Sequence, residues 1–238
     1  MSQRPREPHT GHRSVSGGLA RATVFGVSDG LVSNVSLILG FAGAGVDNTV
    51  VRLAGLAGAV AGGISMAAGE WVSVTSQNDL IERELAVERR EHVHNTEHET
   101  EELAAIYESH GMGKERAAAA AEEVMQRPEN ALAIHAREEL GIDPHNLPSA
   151  LWAAGLSLVS FLFGALLPVI PWYIGGGAGA AWASLSIGVV AAAGVGGLVG
   201  RFAERSVGAS IARQVLIVLV ACGVTYLIGE LVGVNLGG

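Results

Sequence analysis

Five apolar stretches, near residues 22–44, 53–76, 149–169, 178–200 and 211–234, constrain this sequence more than any other feature. Each is long enough to cross a hydrocarbon core of ~30 Å as a helix of ~20 residues. Backbone groups in lipid must satisfy one another within the segment, so the runs predict an all-α membrane protein with five transmembrane helices. The stretch between the second and third runs is the opposite. Residues 77–145 hold 17 of the 23 carboxylates, 7 of the 15 Lys and Arg, and 6 of the 8 histidines. That stretch cannot sit in hydrocarbon, and the formal net charge of −8 is concentrated in it. The domain plan follows: a polar tail over 1–20, spans one and two over 21–76, an acidic helical insert over 77–147, and spans three to five over 148–238.

The tail carries Arg4, Arg6 and Arg13, two prolines and no apolar core, so it reads as a disordered cytosolic tail and not as a cleavable signal peptide. Arg201, Arg205 and Arg213 flank the link between spans four and five, whereas the other short loops hold only Arg52. Positive charge on the inner side then puts the N-terminus, the insert and that link in the cytosol. Pro168 to Tyr173 is expected to end span three, and the uncharged glycine-rich loop after it to face away from the cytosol. Short loops and the lack of a targeting segment point to a bacterial inner membrane. The Gly-xxx-Gly pairs Gly26/Gly30, Gly58/Gly62 and Gly196/Gly200 allow close helix approach, either within one subunit or across a dimer.

The insert is punctuated as helices. No Gly or Pro interrupts Asp79 to Val93, so span two is predicted to run on as a charged helix to about His94. Thr96 and Glu99 fit a capping box opening the next helix, which stops at Gly111 and Gly113. An Ala-rich helix follows from Lys114, and Pro128 suits the first turn of another that ends at Gly141.

Chemistry is expected where charge is costly or where ligand types converge. Asp29 lies inside the first apolar run, where an ionised carboxylate costs several kcal/mol unless a polar path accommodates it; the plainer reading is a hydrogen bond to helix ends or a place near the interface. Asn34 and Ser33 add neutral oxygens on the same helix. Met66 and Glu70 are four residues apart on one face of span two, a thioether beside a carboxylate that suits a transition ion better than Mg²⁺ or Ca²⁺. Met66 is equally a routine packing residue, and Glu70 equally an entrance charge. In the insert, Glu88 and Glu91, Glu99 and Glu102, and His135 and Glu139 each project from one helix face, a ligand set for iron, manganese or zinc. Any single acidic pair is more simply a solvated face. His92, His94, His98 and His110 are irregularly spaced and are read as surface residues. With Cys222 as the single cysteine, inside an apolar run, a cysteine zinc site is excluded.

These residues together resemble the vacuolar iron transporter family, in the bacterial form that keeps a cytosolic metal-binding domain. The resemblance lies in Gly26-Val27-Ser28-Asp29-Gly30-Leu31, Ala61-Gly62-Gly63-Ile64-Ser65-Met66, the Glu-rich helices, Glu138-Glu139-Leu140-Gly141-Ile142 and Leu166-Leu167-Pro168-Val169-Ile170-Pro171, in family order. It implies a homodimer with five spans per subunit, an ion path at the dimer interface near spans one and two, and exchange of cytosolic Fe²⁺ for protons. It also implies that Asp29 and Met66 are ion ligands in the membrane and that Glu88, Glu91, Glu99, Glu102 and Glu139 collect iron on the insert. Two positions depart from the pattern. Gly58 stands where the plant-type family has a glutamate, leaving Glu70 as the acidic residue of that span, and His135 stands where the insert usually has methionine.

The expected activity is therefore export of cytosolic Fe²⁺, with Mn²⁺ export as the nearest alternative and Zn²⁺ as a further ion the insert would accept. The expected partners are metal ions, protons, the bilayer and a second copy, with no resident cofactor and no nucleic acid. A membrane-anchored metal sensor is one rival from another class. A diiron oxidase is another, but it needs two Glu-x-x-His pairs, and after Glu91 and His94 no second pair appears. The chain is not expected to be an enzyme.

Overall fold

The computed structural model describes residues 18–236 except 140 and 145, and is helical throughout its regular structure. The expected disordered tail falls, up to residue 17, outside the described residues. The chain forms two compact units, one from the residues up to Gly69 together with those from Ala153 onward, the other from Glu70 to Trp152. Five helical segments are long and apolar enough to span a bilayer: Ala22–Gly43, Asn48–His94, Ala150–Ile174, Gly177–Phe202 and Val207–Gly233. These coincide with the five apolar runs, and the protein is an integral membrane protein with five spans.

In the first unit the helices are α1 (Gly18–Gly43), the N-terminal part of α2 (Asn48–His94), α6 (Ala150–Leu166), α7 (Ile170–Ile174), α8 (Gly177–Phe202) and α9 (Val207–Leu236). Their large apolar side chains point outward: Phe163, Trp182, Val190, Leu216, Leu227 and Leu231 are all exposed. Such a surface is the face a bilayer covers. Inside, Leu31, Val35 and Leu39 of α1 pack with Ala192 of α8 and with Val218 and Cys222 of α9. Small residues set the spacing. A Cβ on Gly30 would collide with the backbone of Phe161, and one on Gly164 with the carbonyl of Val27, so α1 and α6 meet backbone to backbone. Gly26 faces Ser160 of α6, and Gly196 and Gly200 face Ser210 and Val207 of α9. Of the two readings of the glycine pairs, these contacts are packing within one chain.

The third span departs from expectation. The prolines do not end it: a 3-10 turn, Leu167–Val169, carries the helix into α7, and the break comes at Gly175 and Gly176. The reason is local rescue of polar groups. Ser184 Oγ donates to the Pro168 carbonyl at 2.7 Å, and Trp172 Nε1 donates to Ser184 Oγ at 3.0 Å. A neighbouring hydroxyl thus satisfies the backbone that proline disturbs. Arg52 closes the same end of the unit, its Nε donating to the Trp172 carbonyl at 2.6 Å and its guanidinium lying 5.6 Å from the centre of the Tyr173 ring.

The second unit contains the charged continuation of α2, then α3 (Thr96–Ser109), α4 (Lys114–Met125) and α5 (Pro128–Glu139). Past residue 76, α2 carries Asp79, Glu82, Arg83 and Glu84, a sequence for water and not for lipid. Gly111, at φ +91°, closes α3 and lets the Met112 N–H reach back to the Tyr107 carbonyl at 3.1 Å. The small apolar core is Leu103, Ala104 and Ala121, with Tyr107 and Val124 against it. The expected capping box at Thr96 and Glu99 does not form. Asn95 is the cap residue of α3 and makes no side-chain capping bond; the Thr96 hydroxyl instead donates back to the His92 carbonyl at 2.7 Å. The Glu99 side chain is engaged elsewhere.

Candidate metal centre

Because α2 continues unbroken, Glu88 and His92 lie one turn apart on the same face of it. Glu99, in the first turn of α3, and His135, near the end of α5, are brought to that face. The donor atoms Glu88 Oε1, His92 Nε2, Glu99 Oε2 and His135 Nδ1 converge. His135 Nδ1 is 2.9 Å from His92 Nε2, 3.0 Å from Glu88 Oε1 and 3.2 Å from Glu99 Oε2. His92 Nε2 is 3.2 Å from Glu88 Oε1 and 3.9 Å from Glu99 Oε2. Glu88, Glu99 and His135 are buried, at 6%, 3% and 0% exposure. Two polar atoms in this group, Glu88 Oε1 and His135 Nε2, have no correctly directed hydrogen-bond partner.

Burying two carboxylates together is unfavourable unless a proton or a cation is added. Burial, and next the charge of Glu88, pushes the Glu99 carboxyl up to about 7. Glu88 is likewise raised, first by burial, then by the charge of Glu139, with Glu91 and Glu102 contributing. Burial holds the His92 imidazole below its ordinary value, with His135 reinforcing the shift. A neutral imidazole keeps a lone pair free for a metal.

A second group shares His135. Its other nitrogen, Nε2, is 3.7 Å from Glu139 Oε2, and Glu102 supplies a third donor within 4.8 Å. Glu91, by contrast, is exposed and belongs to neither group.

The first unit holds a different kind of site. A cleft of about 430 Å³ is lined by Asp29, Ser33 and Asn34 of α1 and by Gly58, Ser65 and Met66 of α2. The Asn34 side chain is buried, its Nδ2 donating to the carbonyls of Gly55 at 3.1 Å and Ala165 at 2.5 Å. That anchorage leaves its Oδ1 buried without a partner, beside Gly58, where a Cβ would come within 2.8 Å of it. The side chains of Asp29, Met66 and Asn34 therefore border one cleft in a membrane-spanning unit. Glu70, one turn after Met66, is half-buried and begins the second unit. A larger cavity in the first unit, about 670 Å³, has no carboxylate in its lining.

The model of the VIT family matches residues 20–230 of this chain. The chain belongs to the VIT family. Among its relatives, vacuolar iron transporter 2 of Oryza sativa subsp. japonica is 31% identical over 166 residues, covering 70% of this chain and 68% of that protein. Vacuolar iron transporter 1 of Arabidopsis thaliana is 30% identical over 166 residues, 70% of this chain and 66% of that protein. Vacuolar iron transporter 1 of Oryza sativa subsp. japonica is 28% identical over 219 residues, 92% of this chain and 87% of that protein. The VIT family is a family of transporters and not of enzymes.

In this VIT-family chain the residue that sequence reasoning missed is His92. Judged by spacing among histidines it looked like a surface residue; the usable signal was its four-residue offset from Glu88 on an uninterrupted helix. His94 and His98 are exposed, and His110 pairs at the surface with Glu138 at 3.5 Å.

Proposed function

We propose that the protein moves divalent metal, Fe²⁺ foremost, out of the cytosol in exchange for protons. The observation that carries this reading is the shared cleft of Asp29 and Met66, contributed by two helices of the membrane unit. The naming of the relatives as vacuolar iron transporters supports iron as the cargo. In a low-dielectric path a carboxylate is held neutral by a proton or by a bound cation, so Asp29 can trade one for the other. Met66 supplies a soft donor that distinguishes a transition ion from Mg²⁺ or Ca²⁺.

The second unit, on this reading, collects metal before it enters the membrane, with Glu88, Glu99, Glu102, His135 and Glu139 as ligands and Glu91 as a neighbouring attracting charge. The arginines around the link between α8 and α9 favour placing that unit on the cytosolic side of a cell membrane. Asp29 is exposed on an otherwise uncharged span. A second copy covering that face would enclose the cleft, and the working form is accordingly a homodimer.

The test is metal flux into proteoliposomes containing a pH-sensitive dye, comparing Fe²⁺, Mn²⁺ and Zn²⁺ singly and in competition. Fe²⁺ entry with a matching proton efflux is expected, and Asp29→Asn is expected to abolish both while leaving the oligomer intact. Undiminished Fe²⁺ flux in Asp29→Asn overturns the assignment. A clear preference for Mn²⁺ in competition makes manganese the cargo.

A further inference from the structure

The quartet in the second unit differs from a general acidic ion collector in one respect: two of its four converging donors are imidazole nitrogens from different helices. In a tetrahedral site with bonds of ~2.0–2.1 Å, neighbouring ligand atoms are ~3.4 Å apart. Five of the six donor separations, 2.9, 3.0, 3.2, 3.2 and 3.9 Å, bracket that value, and all lie within 4.8 Å. Glu88 Oε1, on a side chain more than nine-tenths buried, lies 3.0 Å from His135 Nδ1 and 3.2 Å from His92 Nε2 yet makes no correctly directed hydrogen bond. His92 Nε2 and His135 Nδ1 lie 2.9 Å apart, a contact that as a hydrogen bond needs a proton on one nitrogen and that a shared cation would replace.

We propose that His92 completes, with His135, Glu88 and Glu99, a closed four-donor site of two nitrogens and two oxygens that takes a divalent ion of the zinc class in preference to manganese. The inference rests on reading the second unit as a metal-binding domain. His135 ligates through Nδ1; its Nε2 makes no hydrogen bond and lies 3.7 Å from Glu139 Oε2, on the side of the outer group. Imidazole suits Zn²⁺, Co²⁺ and Fe²⁺, whereas Mn²⁺ is better served by an all-oxygen shell.

The experiment uses the full chain in detergent, stripped with chelator and given one equivalent of Co²⁺ or Zn²⁺. The intense visible absorption of tetrahedral Co²⁺ is expected, displaced by Zn²⁺ and not by Mn²⁺. X-ray absorption of the Zn²⁺ form should show two imidazole nitrogens and two oxygens at ~2.0–2.1 Å. His92→Gln, which preserves volume, should remove the Co²⁺ band and lower the Zn²⁺ to Mn²⁺ affinity ratio by about tenfold or more. A faint octahedral Co²⁺ spectrum, an all-oxygen zinc shell, or a band unchanged in His92→Gln overturns the proposal. Should His92→Gln fail to fold, the absorption data on the unaltered chain decide alone. Asp29→Asn should keep the Co²⁺ band. A band without metal flux in the unaltered chain refutes transport and spares this site, and flux without a band does the reverse.

Discussion

The two units of this chain differ in what they bury beside their apolar residues. The membrane unit turns Phe163, Trp182 and Leu231 outward, packs Leu31, Val35 and Trp172 inside, and brings its helices together at Gly30, Gly164, Ser157 and Ser184. The second unit has a small core around Leu103 and places Glu88, Glu99 and His135 among its most buried side chains. Lipid gives little reason to bury apolar bulk, so close backbone contact and paired polar groups hold the first unit. Water favours burial of Leu103 and disfavours burial of the carboxylates, so the second unit carries a desolvation cost that a proton offsets, or a cation on the proposed reading.

The largest expected break in this comparison is Gly30→Leu. Its side chain would enter the backbone of Phe161, which cannot give way as a flexible side chain can. Overpacking of this kind costs ~1–3 kcal/mol in an adaptable core and more against backbone. Loss of a monodisperse detergent-solubilised protein is expected. A Gly30→Leu protein with an unchanged thermal midpoint would show that α1 and α6 do not rely on this contact.

Asn34→Ala should have a smaller and divided effect. It removes the donor to the Gly55 and Ala165 carbonyls, at a cost of ~1–3 kcal/mol for the groups left unpartnered. It also removes a side chain that borders the Asp29 cleft. A lowered thermal midpoint with metal flux reduced beyond the loss of folded protein is expected. Flux per folded molecule equal to that of the unaltered chain would confine Asn34 to a structural role.

Span number and placement were legible because bilayer crossing needs length and apolarity, both of which are local properties. The insert's helices were legible for the same reason, from Gly111, Pro128 and Gly141. What spacing did not disclose was the fate of polar groups that find partners from another helix. Ser184 repairs the Pro168 bend, and the Glu99 side chain joins His135 instead of capping α3. His92 illustrates the limit: Glu88 and His92 share a face by sequence, but only packing of α3 and α5 shows which face meets His135. Asp29 and Met66 line one cleft, and the proposed ion path rests on that placement. Gly58 leaves room for the Asn34 oxygen, which a Cβ there would approach to 2.8 Å.

The smallest effect is a pH dependence confined to the second unit. Glu99, at about 7, and Glu88, also raised, bind protons in the folded state that they release in the unfolded state above their ordinary value of 4.5. Their contribution to stability is therefore present at low pH and is lost as pH rises from about 4.5 through about 7. His92 acts in the other direction: its folded value is lowered, so its contribution is present above its ordinary 6.5 and is lost as pH falls below that. The two effects oppose each other around and below 6.5, and from there through the Glu99 titration the carboxylates increasingly dominate. In that interval the metal-free second unit should lose stability with rising pH. Metal needs the same groups deprotonated, so one equivalent of Zn²⁺ should stabilise more strongly as pH rises. Amide exchange over residues 96–109, corrected for its intrinsic pH dependence, reads both trends. Protection in α3 that is flat across the interval, with and without metal, would mean that the buried carboxylates are not what sets the stability of this unit.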